Sequence, residues 1–146
     1  MYKRQVDGVN YFFLTREEFD RRVANGEFVE WAEVHGNCYG TLVSEVQSKL
    51  ASGSSLILEI DVQGALQVKE RFPEAVLIFI KPPSLEVLRE RLVGRGTETP
   101  ETIELRMANA ADELALADRY DDVVVNDDLD RATDELVRVL DMHERI

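Results

Sequence analysis

In the first forty residues the apolar positions come mostly in strand-like alternation, and from about residue 41 they come in helical stripes and short solid runs. Residues 6–14 (VDGVNYFFL) join an Asp-Gly turn signal to an aromatic run, which predicts a short hairpin entering a strand. Thr15 begins Thr-Arg-Glu-Glu, a capping box with Glu18 at N3, and opens a short helix that Gly26 ends. Residues 27–34 (EFVEWAEV) alternate polar and apolar and predict a strand with one buried face. A turn over 35–37 returns through 38–41. Leu42, Val46 and Leu50 then repeat at helical spacing up to Ser52-Gly53.

Beyond that point the solid runs take over. Residues 55–60 (SLILEI) predict a strand ending at Asp61, followed by a helix to about Phe72. Residues 75–80 (AVLIFI) predict a second buried strand, stopped by Pro82-Pro83. Ser84 opens a helix to about Val93, and Gly94-Arg95-Gly96 breaks it. Thr99-Pro100 supplies an N-cap and an N1 proline for a long helix to about Arg119. Residues 122–125 predict a third strand, and 129–143 a final amphipathic helix. Strands alternating with helices imply crossovers and a parallel sheet. The fold class is therefore α/β: one domain over 1–146, with a β-rich part at about 6–40 and an α/β core over 41–146.

Charge narrows the partners. The 29 acidic residues outnumber the 17 basic ones, for a net charge of −12, so the surface field repels nucleic-acid backbones and anionic lipid. No apolar run approaches the roughly 18 residues of a membrane span, and no signal-peptide pattern is present. The lone Cys38 has no internal disulfide partner, which makes a reducing, cytoplasmic setting the default. Of the 17 cations 13 are arginine, the better residue for bidentate phosphate contacts.

Three constellations could carry chemistry. Asp61 follows an apolar strand, where ligand crevices of parallel sheets lie; capping the next helix is the commoner use of such an Asp. Arg89, Arg91 and Arg95 cluster near the end of one helix, with Arg106 on the next. Arg95 between two glycines has the form of a mobile phosphate clamp, against the plainer reading of surface arginines paired with Glu90, Glu98 and Glu101. Third, Glu30-Trp31 with Tyr11, Tyr39 and Thr41 could line a polar pocket for a ring bearing N–H donors, although each alone reads as ordinary strand surface. The two histidines are isolated, and no zinc grouping, nucleophile elbow or dinucleotide fingerprint occurs. The acidic run 126–128 reads as a cap for the last helix.

The segments Glu30 to Thr41, Glu59-Ile60-Asp61-Val62-Gln63-Gly64-Ala65, Lys81-Pro82-Pro83-Ser84, Gly94-Arg95-Gly96-Thr97 and Val125-Asn126-Asp127-Asp128 together resemble guanylate kinase, in the right order from Val6 to about Leu140. The resemblance implies a P-loop NTPase-like parallel sheet with flanking helices, a small GMP-binding subdomain and a helical lid near 91–106. It implies transfer of the γ-phosphoryl of ATP to GMP with Mg²⁺, giving ADP and GDP, in purine nucleotide metabolism. Glu30 and Asp61 would accept from the guanine N1–H and amino group, Thr41 with Gly40 would meet the guanine edge, and Tyr11 and Tyr39 would hold the GMP phosphate. Arg91, Arg95 and Arg106 would act on the transferring phosphoryl group, with Arg95 also at ATP and Asn126 near its adenine.

The family's G-x-x-x-x-G-K-[ST] loop does not occur in this sequence, nor do a serine and two arginines that precede Val6 in the family. Without that loop the phosphate cradle and the Mg²⁺-holding hydroxyl are lacking. The expectation is an N-terminally truncated guanylate kinase with its first strand absent and little turnover alone. The alternative is a non-catalytic guanylate-kinase-like module binding GMP or phosphopeptides. The expected partners are GMP and ATP, with no nucleic acid and no membrane; the oligomeric state is not legible.

Overall fold

The computed structural model describes residues 7–8, 11–34 (Val34 by its backbone alone) and 36–144. Val6, Val9 and Asn10 of the predicted hairpin, and His35 of the predicted turn, lie outside these. The chain divides into two compact units, Met1–Pro73 and Glu74–Ile146.

The first unit holds α1 (Arg16–Ala24), the antiparallel strands β1 (Phe28–Val34) and β2 (Asn37–Leu42), and helices α2 (Val43–Ala51) and α3 (Val62–Arg71). Thr15 caps α1 by accepting from the Glu18 N–H at 3.2 Å. The Glu18 carboxylate does not close the predicted capping box; it pairs instead with Arg21 and Arg22, three and two positions before the helix end. Gly26, at φ 67°, ends the helix as predicted.

Strict alternation along β1 does not survive. Phe28 faces Leu42 and Glu30 faces Thr41, so Val29 is one residue too many and forms a bulge. In consequence Phe28, Val29 and Glu30 are all buried in succession. A bulge re-aims the side chains beside it, and here it brings a carboxylate inside. Phe28 stacks on Phe19 with ring centroids 4.6 Å apart, and Val46, Val62, Ala65 and Val68 complete this core.

The predicted strand over 55–60 forms no ladder among the described residues, and Ile57 is 68% exposed. A solid apolar run specifies burial, but a strand also needs a neighbour for its backbone groups. Among the described residues the aromatic run at 11–13 forms a single bridge, Asp7 to Tyr11.

The second unit pairs β3 (Ile78–Lys81) with β4 (Asp122–Val125) in parallel, Ile78 opposite Asp122. Between them come α4 (Leu85–Gly94), capped by Ser84, and α5 (Pro100–Leu114), capped by Thr99. The predicted long helix ends at Leu114, and Ala117–Arg119 form a separate 3₁₀ turn. The amphipathic α6 (Leu129–Glu144) packs Ala132 and Val139 against the fully buried Val124 and against Ile78. Asp128 caps it by accepting from the Arg131 N–H. The fold class is α/β, with a small parallel sheet, an antiparallel pair and flanking helices.

Two consequences are testable. A methyl group on Gly40 would sit 2.7 Å from the Phe28 ring and 2.9 Å from the Glu30 carbonyl oxygen, too close for either. Gly40→Ala is expected to cost roughly 1–3 kcal/mol, read as a lowered denaturation midpoint. The hydrogen bonds from Arg21, then Arg22, lower the Glu18 carboxyl from 4.5 to about 2. A group depressed in the folded state stabilises fully above its unfolded value and loses that contribution as pH falls toward the folded one. The melting-temperature gap between the parent and Glu18→Gln should therefore be constant above about pH 5 and close between pH 4.5 and about 2.

Candidate functional site

Glu30 is the buried charged residue of the first unit, 7% exposed. An isolated carboxylate is expensive to bury unless hydrogen-bonded. Thr41, directly across the ladder, donates its hydroxyl to Glu30 Oε1 at 2.6 Å. The other oxygen, Oε2, lies against Gly64 of α3: a methyl group there would be 3.0 Å from it. Asp61 approaches the same glycine. It is the N-cap of α3, with Oδ1 accepting from the Gly64 N–H at 2.8 Å. The capping reading of Asp61 therefore holds for one oxygen, and Oδ2 makes no bond to the described residues. Glu30 and Asp61 thus both border Gly64, presenting acceptors that no lysine or arginine among the described residues neutralises.

The predicted companions sit nearby in the sequence but play plainer parts. Tyr11 and Tyr39 are 48% and 45% exposed and meet edge to face at 6.5 Å. Gly40 leaves room for the Phe28 ring. Trp31 packs edge-on to Phe19 and remains 39% exposed. Cys38 is a free thiol whose pKa is pushed up, chiefly by burial, the opposite of an activated nucleophile.

In the second unit the arginines differ sharply in their engagement. Arg89 pairs with Glu104, which anchors α4 to α5; the guanidinium hydrogen bond lowers the Glu104 carboxyl. Arg91 donates to the carbonyl oxygens of Asn126 at 2.7 Å and Asp127 at 3.2 Å, bringing two of the predicted residues together. Arg106 pairs with Glu98 at 2.8 Å. Arg95, at the C-cap of α4 before Gly96 (φ 64°), donates its backbone N–H to the Arg91 carbonyl oxygen, while its guanidinium makes no hydrogen bond or ion pair with the described residues. His143 joins Asp122 at 2.7 Å, fastening the end of α6 to β4.

No group of three or more His, Cys, Asp or Glu side chains among the described residues is arranged to hold a metal ion. The described residues therefore do not fit a resident magnesium site. No helix among them is long and apolar enough to cross a membrane.

Four residues with parts to play were not singled out from the sequence. Gly64 was noticed only as a neighbour of Asp61. Gln67 and Arg71 face β1 from α3, and Glu98 is nearly buried with Oε2 unpartnered among the described residues. The spacing 64, 67, 71 places the first three on one helical face, a signal that helical periodicity could have supplied.

A sequence model described as Guanylate kinase matches residues 2–143. The chain is 51% identical over 138 residues to a guanylate kinase of Halalkalibacterium halodurans, covering 94% of this chain and 68% of that protein. It is 55% identical over 136 residues to a guanylate kinase of Gloeobacter violaceus, covering 93% and 66%. The crystal structure of guanylate kinase from Anaplasma phagocytophilum superposes with a TM-score of 0.74 at 37% identity, covering 97% of this chain and 69% of that one. The chain thus spans about two thirds of the length of these relatives.

The cap and the open acceptor of Asp61 separate by substitution. Asp61→Ala is expected to lose roughly 0.5–2 kcal/mol of stability, whereas Asp61→Asn keeps the capping oxygen and should melt within a few tenths of the parent. Thermal denaturation of the three chains checks this.

Proposed function

The chain belongs to the guanylate kinase family, and we propose that it carries the guanine-reading acceptors and arginines of ATP-to-GMP phosphoryl transfer. The observation that carries this reading is the pair Glu30 and Asp61, two carboxylates bordering Gly64 with one oxygen of Asp61 left open. A guanine edge offers two adjacent N–H donors, N1–H and the 2-amino group. Carboxylates are acceptor-only and match them, whereas adenine presents an acceptor at N1 that they repel. A site built on hydrogen-bond acceptors rejects the wrong base strongly because its buried polar groups are then unpaired.

The remaining roles follow from each residue's engagement. Thr41 orients Glu30 through its hydroxyl and meets the guanine edge beside Gly40. Tyr11 and Tyr39 offer exposed phenols to the GMP phosphate. Arg95, uncommitted among the described residues, contacts the transferring phosphoryl group and ATP. Arg106 does so in exchange for its bond to Glu98. Arg91 braces the loop that carries Asn126 toward the adenine. Phosphoryl transfer is mostly positioning and charge neutralisation, which arginines supply. Mg²⁺ enters as the counter-ion of ATP. The single set of guanine acceptors favours this reading over phosphopeptide binding, which has no use for them.

Calorimetric titration of the chain with GMP and AMP tests the proposal. GMP should bind and AMP should bind far more weakly. Asp61→Asn, which keeps the cap, should weaken GMP by roughly 10–100-fold, the size of a lost hydrogen bond to a charged group. Equal affinity for the two nucleotides, or an unchanged GMP affinity in Asp61→Asn, would overturn it.

A further inference from the structure

The outer edge of β1, the side away from β2, is closed by side chains of α3 instead of by another strand. Gln67 accepts from the Trp31 N–H at 3.1 Å and donates to the Trp31 carbonyl at 3.2 Å, so its carboxamide pairs as a strand residue would. Four residues on, Arg71 donates to the carbonyl oxygens of Phe28 and Gly26, at the bulge and just before it. Gly64, three residues before Gln67, provides the gap for Glu30 Oε2. One helical face thus presents a gap, a carboxamide and a guanidinium to the strand that bears Glu30.

The N–H gripped by Gln67 belongs to the peptide that joins Glu30 to Trp31. The bulge leaves Val29 unpaired and the ladder locally disrupted, and a side chain reaching into a tight space depends on where its backbone is held. We propose that Gln67 is a positioning residue for guanine specificity: its two hydrogen bonds to Trp31 fix the bulged backbone so that the Glu30 carboxylate sits at Gly64. Gln67 touches no base. It acts through Glu30, and the proposal rests on the guanine reading given above. The shallow cavity of about 360 Å³ along this edge, walled by Val23, Phe28 and Trp31, is the space that remains beside the clamp.

The test compares the parent with Gln67→Met, which keeps length but cannot hydrogen-bond, and Gln67→Glu, which still accepts from the Trp31 N–H but cannot donate. GMP and AMP affinities are measured by calorimetry, and exchange of the Trp31 amide by NMR. In Gln67→Met the preference for GMP over AMP should narrow about tenfold, the size of two neutral hydrogen bonds, and Trp31 exchange should accelerate. Gln67→Glu should fall between. A merely structural role would weaken both nucleotides alike and leave their ratio unchanged. An unchanged ratio in a folded Gln67→Met chain therefore overturns the proposal, whatever the exchange rate. If Gln67→Met does not fold, an unchanged ratio in Gln67→Glu overturns it instead. A parent chain that itself fails to prefer GMP overturns the guanine reading first and this inference with it, a failure visible before any substitution is made.

Discussion

Much of the first unit is arranged around the need to keep one carboxylate out of water without leaving it alone. Glu30 is 7% exposed, and a carboxylate at that depth needs hydrogen bonds and room. Thr41 gives it a donor across the ladder. Gly64 gives it room at the start of α3, where the helix dipole favours negative charge. The bulge at Val29 turns it inward, Gly40 lets the Phe28 ring lie beneath, and the α3 clamp keeps the strand in register. The Thr41 bond is charge-assisted and short, and the other contacts fix where the carboxylate lies. Together they hold a largely buried acceptor beside Gly64.

The second unit handles charge by a different rule. Its arginines are graded by how firmly they are tied: Arg89 to a carboxylate on the neighbouring helix, Arg91 to two backbone carbonyls, Arg106 to a nearly buried Glu98, and Arg95 to nothing among the described residues. Arg119 and Arg138 of the same unit also have no side-chain partner among the described residues; what sets Arg95 apart is its place between Gly94 and Gly96 at the end of a helix. The glycines on either side hold it at the end of α4, where its cation also suits the helix C-terminus. An anionic ligand then meets a cation that need not first be separated from a partner.

What could be read from the sequence was what local chemistry dictates. The Thr15, Ser84 and Thr99 caps, the stop at Gly26 and the strand at 122–125 all follow from residue types at fixed offsets, and the structure has them. The strand at 55–60 was misread because apolar content says nothing about whether a partner strand stands alongside. The bulge in β1 was invisible because alternation of polar and apolar residues presumes a regular ladder. At the site, the acceptor residues were legible through family resemblance. Gln67 and Arg71 bond a strand's backbone, which leaves no mark in residue type, so that only the helical spacing they share with Gly64 pointed to them. Asp61 was readable both ways; one oxygen caps α3, and the other makes no bond to the described residues.

The central claim is that Glu30 and Asp61 together receive the N–H donors of a guanine. The most direct measurement is the proton NMR spectrum of GMP bound to the chain, observed at the guanine imino and amino protons. The account predicts downfield-shifted imino and amino resonances protected from exchange with water, and loss of that protection in Asp61→Asn. Bound GMP whose imino proton exchanges as freely as in solution would contradict it.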